Sequence, residues 1–136
     1  MFVIFASQAA PSAPSQGEEA KMPNISLMPF QKLDCYAVAK ELARLVHEAG
    51  ISHSVLRDQA CRAAVSCFLQ LAEGLPNDGA GMRRKYFTES NNSLHETVAA
   101  IDLAQTLAAV RSDLAAPILN LAFRLKRMLR ALLHAP

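Results

Sequence analysis

Four segments of the chain that follow Pro29 place apolar residues at the three- and four-residue spacing of an α-helix. The first segment has one apolar stripe, with charged residues away from it, and Gly50 is predicted to end it. The stripe consists of Cys35, Val38, Leu42, Leu45, Val46 and Ala49. This arrangement predicts a surface helix with one face in a core.

The second predicted helix is apolar on nearly every side. It opens near Ser52 or Ser54, since either hydroxyl can cap free backbone N–H groups, and it runs to Glu73 with Gly74 as its stop. A helix of this kind must be covered on every side, either by the rest of its own bundle or by neighbouring subunits.

Two further helices follow a loop at residues 75–81, which is rich in turn-forming residues. In the third helix the apolar repeat consists of Phe87, Leu94, Val98, Ile101 and Ala108. The chain turns again before Pro117, with Ser112 or Asp113 as the cap, because proline suits only the first turn of a helix. The fourth helix runs to the C-terminus on an apolar arc of Ile118, Leu121, Ala122, Leu125, Met128, Leu129, Leu132 and Leu133.

Short connections make consecutive helices antiparallel neighbours, so the predicted fold is an all-α, up-down-up-down antiparallel four-helix bundle. The chain has 136 residues, 51% of them hydrophobic, which is enough for one domain with a core and too little for two. We expect the bundle to span residues 30–136. Residues 1–29 are predicted to form a disordered tail, because their Ala-, Pro- and Ser-rich composition lacks periodicity, and Met22 or Met28 is an alternative start to Met1.

Composition narrows the class of protein further. Formal net charge is +2, which neither demands nor excludes a nucleic-acid partner. The cysteines, Cys35, Cys61 and Cys67, are odd in number and form no C-x-x-C pair, so we expect small buried or half-buried side chains in a reducing cytoplasm. The apolar start of the chain lacks the basic region of a signal peptide, and no segment has the length of a membrane span.

No catalytic, cofactor or metal site is predicted. The chain contains no Glu-x-x-His pairs of the di-iron kind and no glycine-rich phosphate loop in a strand–helix context. His95 and Glu96 are adjacent on a helix, so their side chains diverge and do not form a shared metal site. We therefore expect a protein that is not an enzyme.

Polar residues within apolar helices form one set of candidate sites, namely Arg62, Gln70, Glu73, Ser93 and Glu96. A charge inside a bundle is costly unless it is paired, so an ion pair of Arg62 with Glu96 or with Glu73 is predicted to lock the bundle. The alternative is that these residues line a groove between subunits.

Basic residues form a second set of candidates for partner binding. Arg83, Arg84 and Lys85 cluster in the first turn of helix three, where the helix dipole disfavours cations, and Lys126, Arg127 and Arg130 form a basic arc on helix four. In an antiparallel bundle the end of helix four returns toward the start of helix three, so the two clusters are predicted to approach each other. The alternative for the first cluster is that its three cations are exposed to solvent and bind no partner.

Five short segments in order resemble a known family. They are Leu33-Asp34 with Tyr36 and Ala39, then Gln59–Ser66, Leu71–Gly74, Arg84–Phe87 and Ser93–Glu96. Together they look like the four-helix-bundle proteins of 23S ribosomal RNA intervening sequences, a family that includes the accessory variability protein of diversity-generating retroelements. The resemblance covers residues 30–133, and Gln70 stands where the family usually has Asn.

The resemblance implies a homopentamer and, for the retroelement member, binding of a reverse transcriptase and of nucleic acid through basic surfaces. The residues themselves favour an oligomer, because Leu33, Tyr36 and Ala43 lie outside the main stripe of helix one. The leading hypothesis is a non-enzymatic oligomeric scaffold that binds RNA, DNA or a reverse-transcriptase-like protein through its basic helix faces. The alternative is a structural or small-ligand-binding bundle with no nucleic-acid role.

Overall fold

The computed structural model describes residues 26–135, and these fold as the predicted antiparallel four-helix bundle. After a short 3-10 helix at Pro29–Lys32, the bundle consists of α1 (Asp34–Glu48), α2 (Ser54–Gly74), α3 (Ala80–Thr106) and α4 (Ser112–Leu133). Most of the predicted tail, residues 1–25, lies outside the described residues. None of the helices in the described part combines the length and apolarity that a membrane crossing requires.

Each helix packs against its two neighbours around the bundle, α1 on α2, α2 on α3, α3 on α4 and α4 on α1. The α1–α2 and α3–α4 connections meet at one end, where the backbone N–H of Ser52 donates to the carbonyl of Ala109 at 2.8 Å. At the other end, Arg84 Nη1 donates to the carbonyl of Leu133 at 2.9 Å. These two contacts establish the up-down-up-down direction of the helices.

The apolar stripes predicted for α1 and α4 contribute to the core, together with buried residues of α2 and α3. The fully buried side chains include Leu42 and Val46 of α1, Leu71 of α2, Ile101 of α3 and Leu125 of α4. All three cysteines are free, and Cys35 and Cys67 are buried while Cys61 is half-buried, as predicted. Burial raises the pKa of the Cys67 thiol to about 11, so this group stays protonated at neutral pH.

Several helix ends differ from the predictions. The cap of α2 is His53, whose Nδ1 accepts from the N–H of Leu56 at 3.3 Å, so neither Ser52 nor Ser54 caps it. The cap of α4 is Arg111, which leaves Ser112 and Asp113 inside the helix, and Pro117 lies in the helix beyond its first turn. Ala108 does not extend the apolar repeat of α3, because that helix ends at Thr106 and Ala108 adopts a φ of 55°.

Two positions at helix ends require glycine, each for a different structural reason. Gly50 follows α1 with a φ of 64°, the left-handed conformation predicted for a residue that stops a helix. Gly74 is instead the last residue of α2 and packs face to face with α3. A Cβ atom there would lie 2.7 Å from Cε1 of Phe87, so this glycine allows close approach of the two helices.

Candidate functional site

The register of α3 against α4 brings most of the predicted cations to one side of the bundle. Arg84 lies opposite the end of α4, where it donates to the carbonyl of Leu133. About two turns further along α3, Lys126 Nζ donates to Asn91 Oδ1 at 3.1 Å and lies 3.0 Å from His95 Nε2. The start of α3 and the second half of α4 are therefore neighbours, as the antiparallel arrangement predicts.

Arg83 differs from the rest of its cluster, because its side chain is half-buried and turns toward α2. Its Nη1 donates to the carbonyl of Leu75 at 2.6 Å and to that of Gly74 at 3.2 Å. The guanidinium carbon lies 4.9 Å from the ring centroid of Phe87. The alternative of three exposed cations is therefore wrong for Arg83, and this side chain, which was predicted to bind a partner, instead donates to backbone acceptors at the end of α2.

Four cations, Arg84, Lys126, Arg127 and Arg130, form what we call the basic face of the bundle. Within residues 26–135, none of these four forms an ion pair with a carboxylate. The sequence from residue 114 to residue 136 contains no Asp or Glu, so α4 supplies no nearby acid to balance its cations. Lys85 is not part of this face, because its Nζ lies 3.8 Å from Glu89 Oε2.

Two cations away from the basic face, Arg44 and Arg111, are paired with acids of their own helix or loop. Arg44 contacts both Glu41 and Glu48 on α1, and Arg111 contacts Asp113 at the start of α4. The two glutamates raise the pKa of the Arg44 guanidinium, chiefly through the hydrogen bond to Glu41. Positive charge on the basic face is left available to an anionic partner, whereas that of Arg44 and Arg111 is locally neutralised.

An exposed aromatic residue, Phe123, lies beside the basic face. Its side chain is 65% exposed, and Cζ of Arg127 lies 5.9 Å from its ring centroid. Phe123 is absent from the predicted site residues, although it occupies the polar side of α4, three and four residues before Lys126 and Arg127. An aromatic residue in that position is the signal in the sequence that could identify it.

Phe123 borders a groove of about 440 Å³ between α3 and α4. The walls are mostly apolar and include Leu94, Val98, Leu119 and Ala122. Polar atoms enter the groove from Lys126 and His95 toward one end and from Asp102 further along α3. The arrangement offers an apolar slot with a cationic end.

The polar residues predicted within the apolar helices fall into two groups. Ser93 and Gln70 are buried or half-buried, and the three charged residues are exposed. Ser93 is buried and its Oγ donates to Ser66 Oγ at 3.0 Å, and the nearby Ser90 donates to the carbonyl of Cys67 at 2.7 Å. These contacts join α2 to α3. Gln70 is half-buried, and its Oε1 is buried without a hydrogen-bond partner in the described part of the chain.

Arg62, Glu73 and Glu96 are exposed, and the predicted ion pairs among them do not form in the described structure. The prediction of a bundle-locking pair is wrong because these side chains lie on the outward faces of α2 and α3 and not in the interior of the bundle. Nor does any group of three or more His, Cys, Asp or Glu side chains within residues 26–135 offer ligands for a metal ion.

Comparisons with known proteins agree with the geometry of the bundle. The family model described as 23S rRNA-intervening sequence protein matches residues 31–131. A crystal structure of a protein of unknown function from the S23 ribosomal protein family of Bacteroides thetaiotaomicron superposes with a TM-score of 0.67. It is 14% identical, and the match covers 74% of this chain and 99% of that chain. No curated protein matches.

Proposed function

The chain belongs to the 23S rRNA-intervening sequence protein family, and from this premise we propose that it is a non-enzymatic, oligomeric scaffold that binds nucleic acid through its basic face. One observation carries the proposal. Arg84, Lys126, Arg127 and Arg130 lie together on one side of the bundle without carboxylate partners in the described residues, in a chain whose formal net charge is only +2. Clustered cations of this kind suit the phosphates of a nucleic acid.

Repetition of the face in an oligomer strengthens the proposal. Each subunit of a ring would present the same cations, so contacts that are weak singly would act together on one long polyanion. The modest net charge of one chain is then compatible with substantial binding by the assembly. The chemistry proposed here is electrostatic and requires no catalytic group.

We expect neutralisation of three cations of the basic face to weaken RNA binding and its salt dependence together. The variant is Lys126→Gln, Arg127→Gln, Arg130→Gln, tested by fluorescence anisotropy with a labelled single-stranded RNA over a series of KCl concentrations. Each phosphate that the variant no longer neutralises should reduce the slope of log K against log salt by about 0.7. Circular dichroism should show nearly unchanged helicity, because Arg127 and Arg130 are exposed and the half-buried Lys126 loses only its contacts with Asn91 and His95.

A matched control removes the same charge from another side of the bundle. Lys40→Gln, Arg44→Gln, Arg57→Gln changes three exposed residues of α1 and α2 and should bind RNA nearly as well as the parent protein. Equal loss in both variants would contradict a defined binding face. If neither RNA nor DNA binds at low salt, a structural or small-ligand-binding bundle replaces the proposal.

The proposed assembly rests on the outward face of α2. Val55, Val65 and Leu69 are all exposed there, and Leu33 is exposed at the start of α1. Tyr36, by contrast, packs within the chain, its ring centroid 5.0 Å from that of Phe68. Apolar residues left uncovered on α2 support association into a closed ring, with the homopentamer taken from the resemblance to the family.

We expect Leu69→Asp to lower the mass of the assembly, because a charge would replace an apolar contact between subunits. Leu107→Asp is the matched control, since both leucines are 52% exposed but Leu107 lies in the α3–α4 connection. Light scattering should give the parent protein and the control a multiple of 14.7 kDa. A monomer mass for the parent protein at micromolar concentration would contradict the assembly.

A further inference from the structure

Phe123 is a large aromatic residue that the rest of its own chain does not bury. The side chain is 65% exposed at the edge of the α3–α4 groove, whereas Leu119 and Ala122 beside it contribute to the packed wall. An aromatic ring in this position offers a free face for another planar group. The groove of about 440 Å³ lies within the range of roughly 300–1,000 Å³ that is typical of pockets for small molecules.

Positive charge is concentrated at one end of the groove. Lys126 reaches across the groove to Asn91 and His95, and Arg127 lies 5.9 Å from the Phe123 ring centroid. Arg130 follows one turn later on α4. The one carboxylate that lines the groove, Asp102, is about two turns along α3 from His95. An anion would therefore be attracted to the end that Lys126 occupies.

We propose that the α3–α4 groove binds single-stranded nucleic acid, with an unpaired base stacked on Phe123 and the adjoining phosphates on Lys126, Arg127 and Arg130. The inference rests on the proposed function and makes it more specific. Stacking on an aromatic side chain beside cations is the usual way in which proteins hold single strands without reading their sequence. Each component of that arrangement is present within about two turns of Phe123 on α4.

A duplex and an acidic peptide fit the groove less well. The bases of a duplex are stacked on each other, so none of them offers a free face to Phe123. A peptide helix inserts its own apolar side chains into recesses of a groove. Here the largest apolar group projects outward from the groove edge, which suits an acceptor of stacking rather than a recess.

The test compares Phe123→Leu with Phe123→Tyr in the full chain. The probes are a labelled single-stranded oligoadenylate, the same strand annealed to its complement, and a strand of equal length that lacks bases. We expect Phe123→Leu to weaken binding of the single strand about 5- to 100-fold, with an unchanged salt slope because the phosphate contacts remain. Phe123→Tyr, which keeps the ring, should bind within about twofold of the parent protein.

Controls separate failure of this inference from failure of the proposed function. Leu107→Ala removes another exposed apolar side chain, which is 52% exposed and lies away from the groove, and it should leave affinity unchanged. The inference is overturned if Phe123→Leu binds the oligoadenylate like the parent protein, if the base-free strand binds equally well, or if polyglutamate competes as effectively as RNA. A lower mass of Phe123→Leu in light scattering would instead assign the groove to contacts between subunits. Absence of all nucleic-acid binding in the parent protein would overturn the proposed function itself.

Discussion

Replacement of Phe87 by Ala is expected to lower the free energy of unfolding by about 3–5 kcal/mol, the usual effect of removing a large aromatic ring from a core. Phe87 is 1% exposed and is among the largest buried side chains of the bundle. Its ring lies directly against Gly74 of α2, so the cavity would open at the closest approach of two helices. Denaturant unfolding followed by circular dichroism measures the change, at one fixed protein concentration because assembly adds to apparent stability.

Phe123→Ala is the control for this prediction, because it removes the same side chain from an exposed position. We expect the free energy of unfolding to change by no more than about 0.5 kcal/mol. Equal destabilisation by the two substitutions would contradict the difference in burial. A Phe87→Ala protein of unchanged stability would show that the α2–α3 contact at Gly74 is not formed as described.

The helices most readily predicted from the sequence are α1 and α4. Both have an uninterrupted apolar stripe beside a charged side, and residues such as Leu42 and Leu125 are buried where that pattern places them. For α3 the pattern is weaker, because the buried side of the helix includes Ser90, Ser93 and Thr97. The hydroxyls of Ser90 and Ser93 bond to groups of α2, which the sequence of α3 does not reveal, and the hydroxyl of Thr97 bonds to the carbonyl of Ser93 in its own helix.

Helix ends were harder to predict than helices, and the reason is local chemistry. A serine beside the start of a helix favours capping in general, yet His53 supplies the acceptor for α2. Asp113 could have capped α4, but its carboxylate accepts from Arg111 at 2.6 Å and 3.0 Å instead. Competition between two nearby partners of similar strength is settled by geometry that the sequence does not contain.

In the candidate site, too, the sequence predicts what one helix determines and does not predict what packing between helices determines. Helical spacing gives the angular position of each cation on its own helix, so the basic arc of α4 could be predicted. It does not give the register against the next helix, and this register turns Arg83 toward the carbonyls of Gly74 and Leu75. The exposure of Phe123 also depends on how far α3 covers α4. Both features arise from packing between helices.

Arg83→Ala is expected to destabilise the bundle, in contrast to substitutions on the basic face. Loss of hydrogen bonds from a charged donor typically costs about 1.5–3 kcal/mol, and the lower figure applies here because the side chain is only half-buried. The carbonyls of Gly74 and Leu75 would no longer accept from the guanidinium, and the ring of Phe87 would no longer have the cation above it. Denaturant unfolding measures the cost, and hydrogen exchange should be faster in the loop that follows α2.

Arg84→Ala and Arg83→Lys distinguish this role from a general effect of charge. Arg84 is exposed and donates one hydrogen bond, to Leu133, so its removal should cost less than about 1 kcal/mol. Arg83→Lys keeps the charge but loses the planar guanidinium, whose Nη1 reaches the carbonyls of Gly74, Leu75 and Asn77, and it should be destabilised nearly as much as Arg83→Ala. Equal stability of Arg83→Ala and Arg84→Ala would contradict the structural role. Because Arg83 stabilises the end of α2, a loss of RNA binding in an Arg83 variant would report on folding as well as on the binding face.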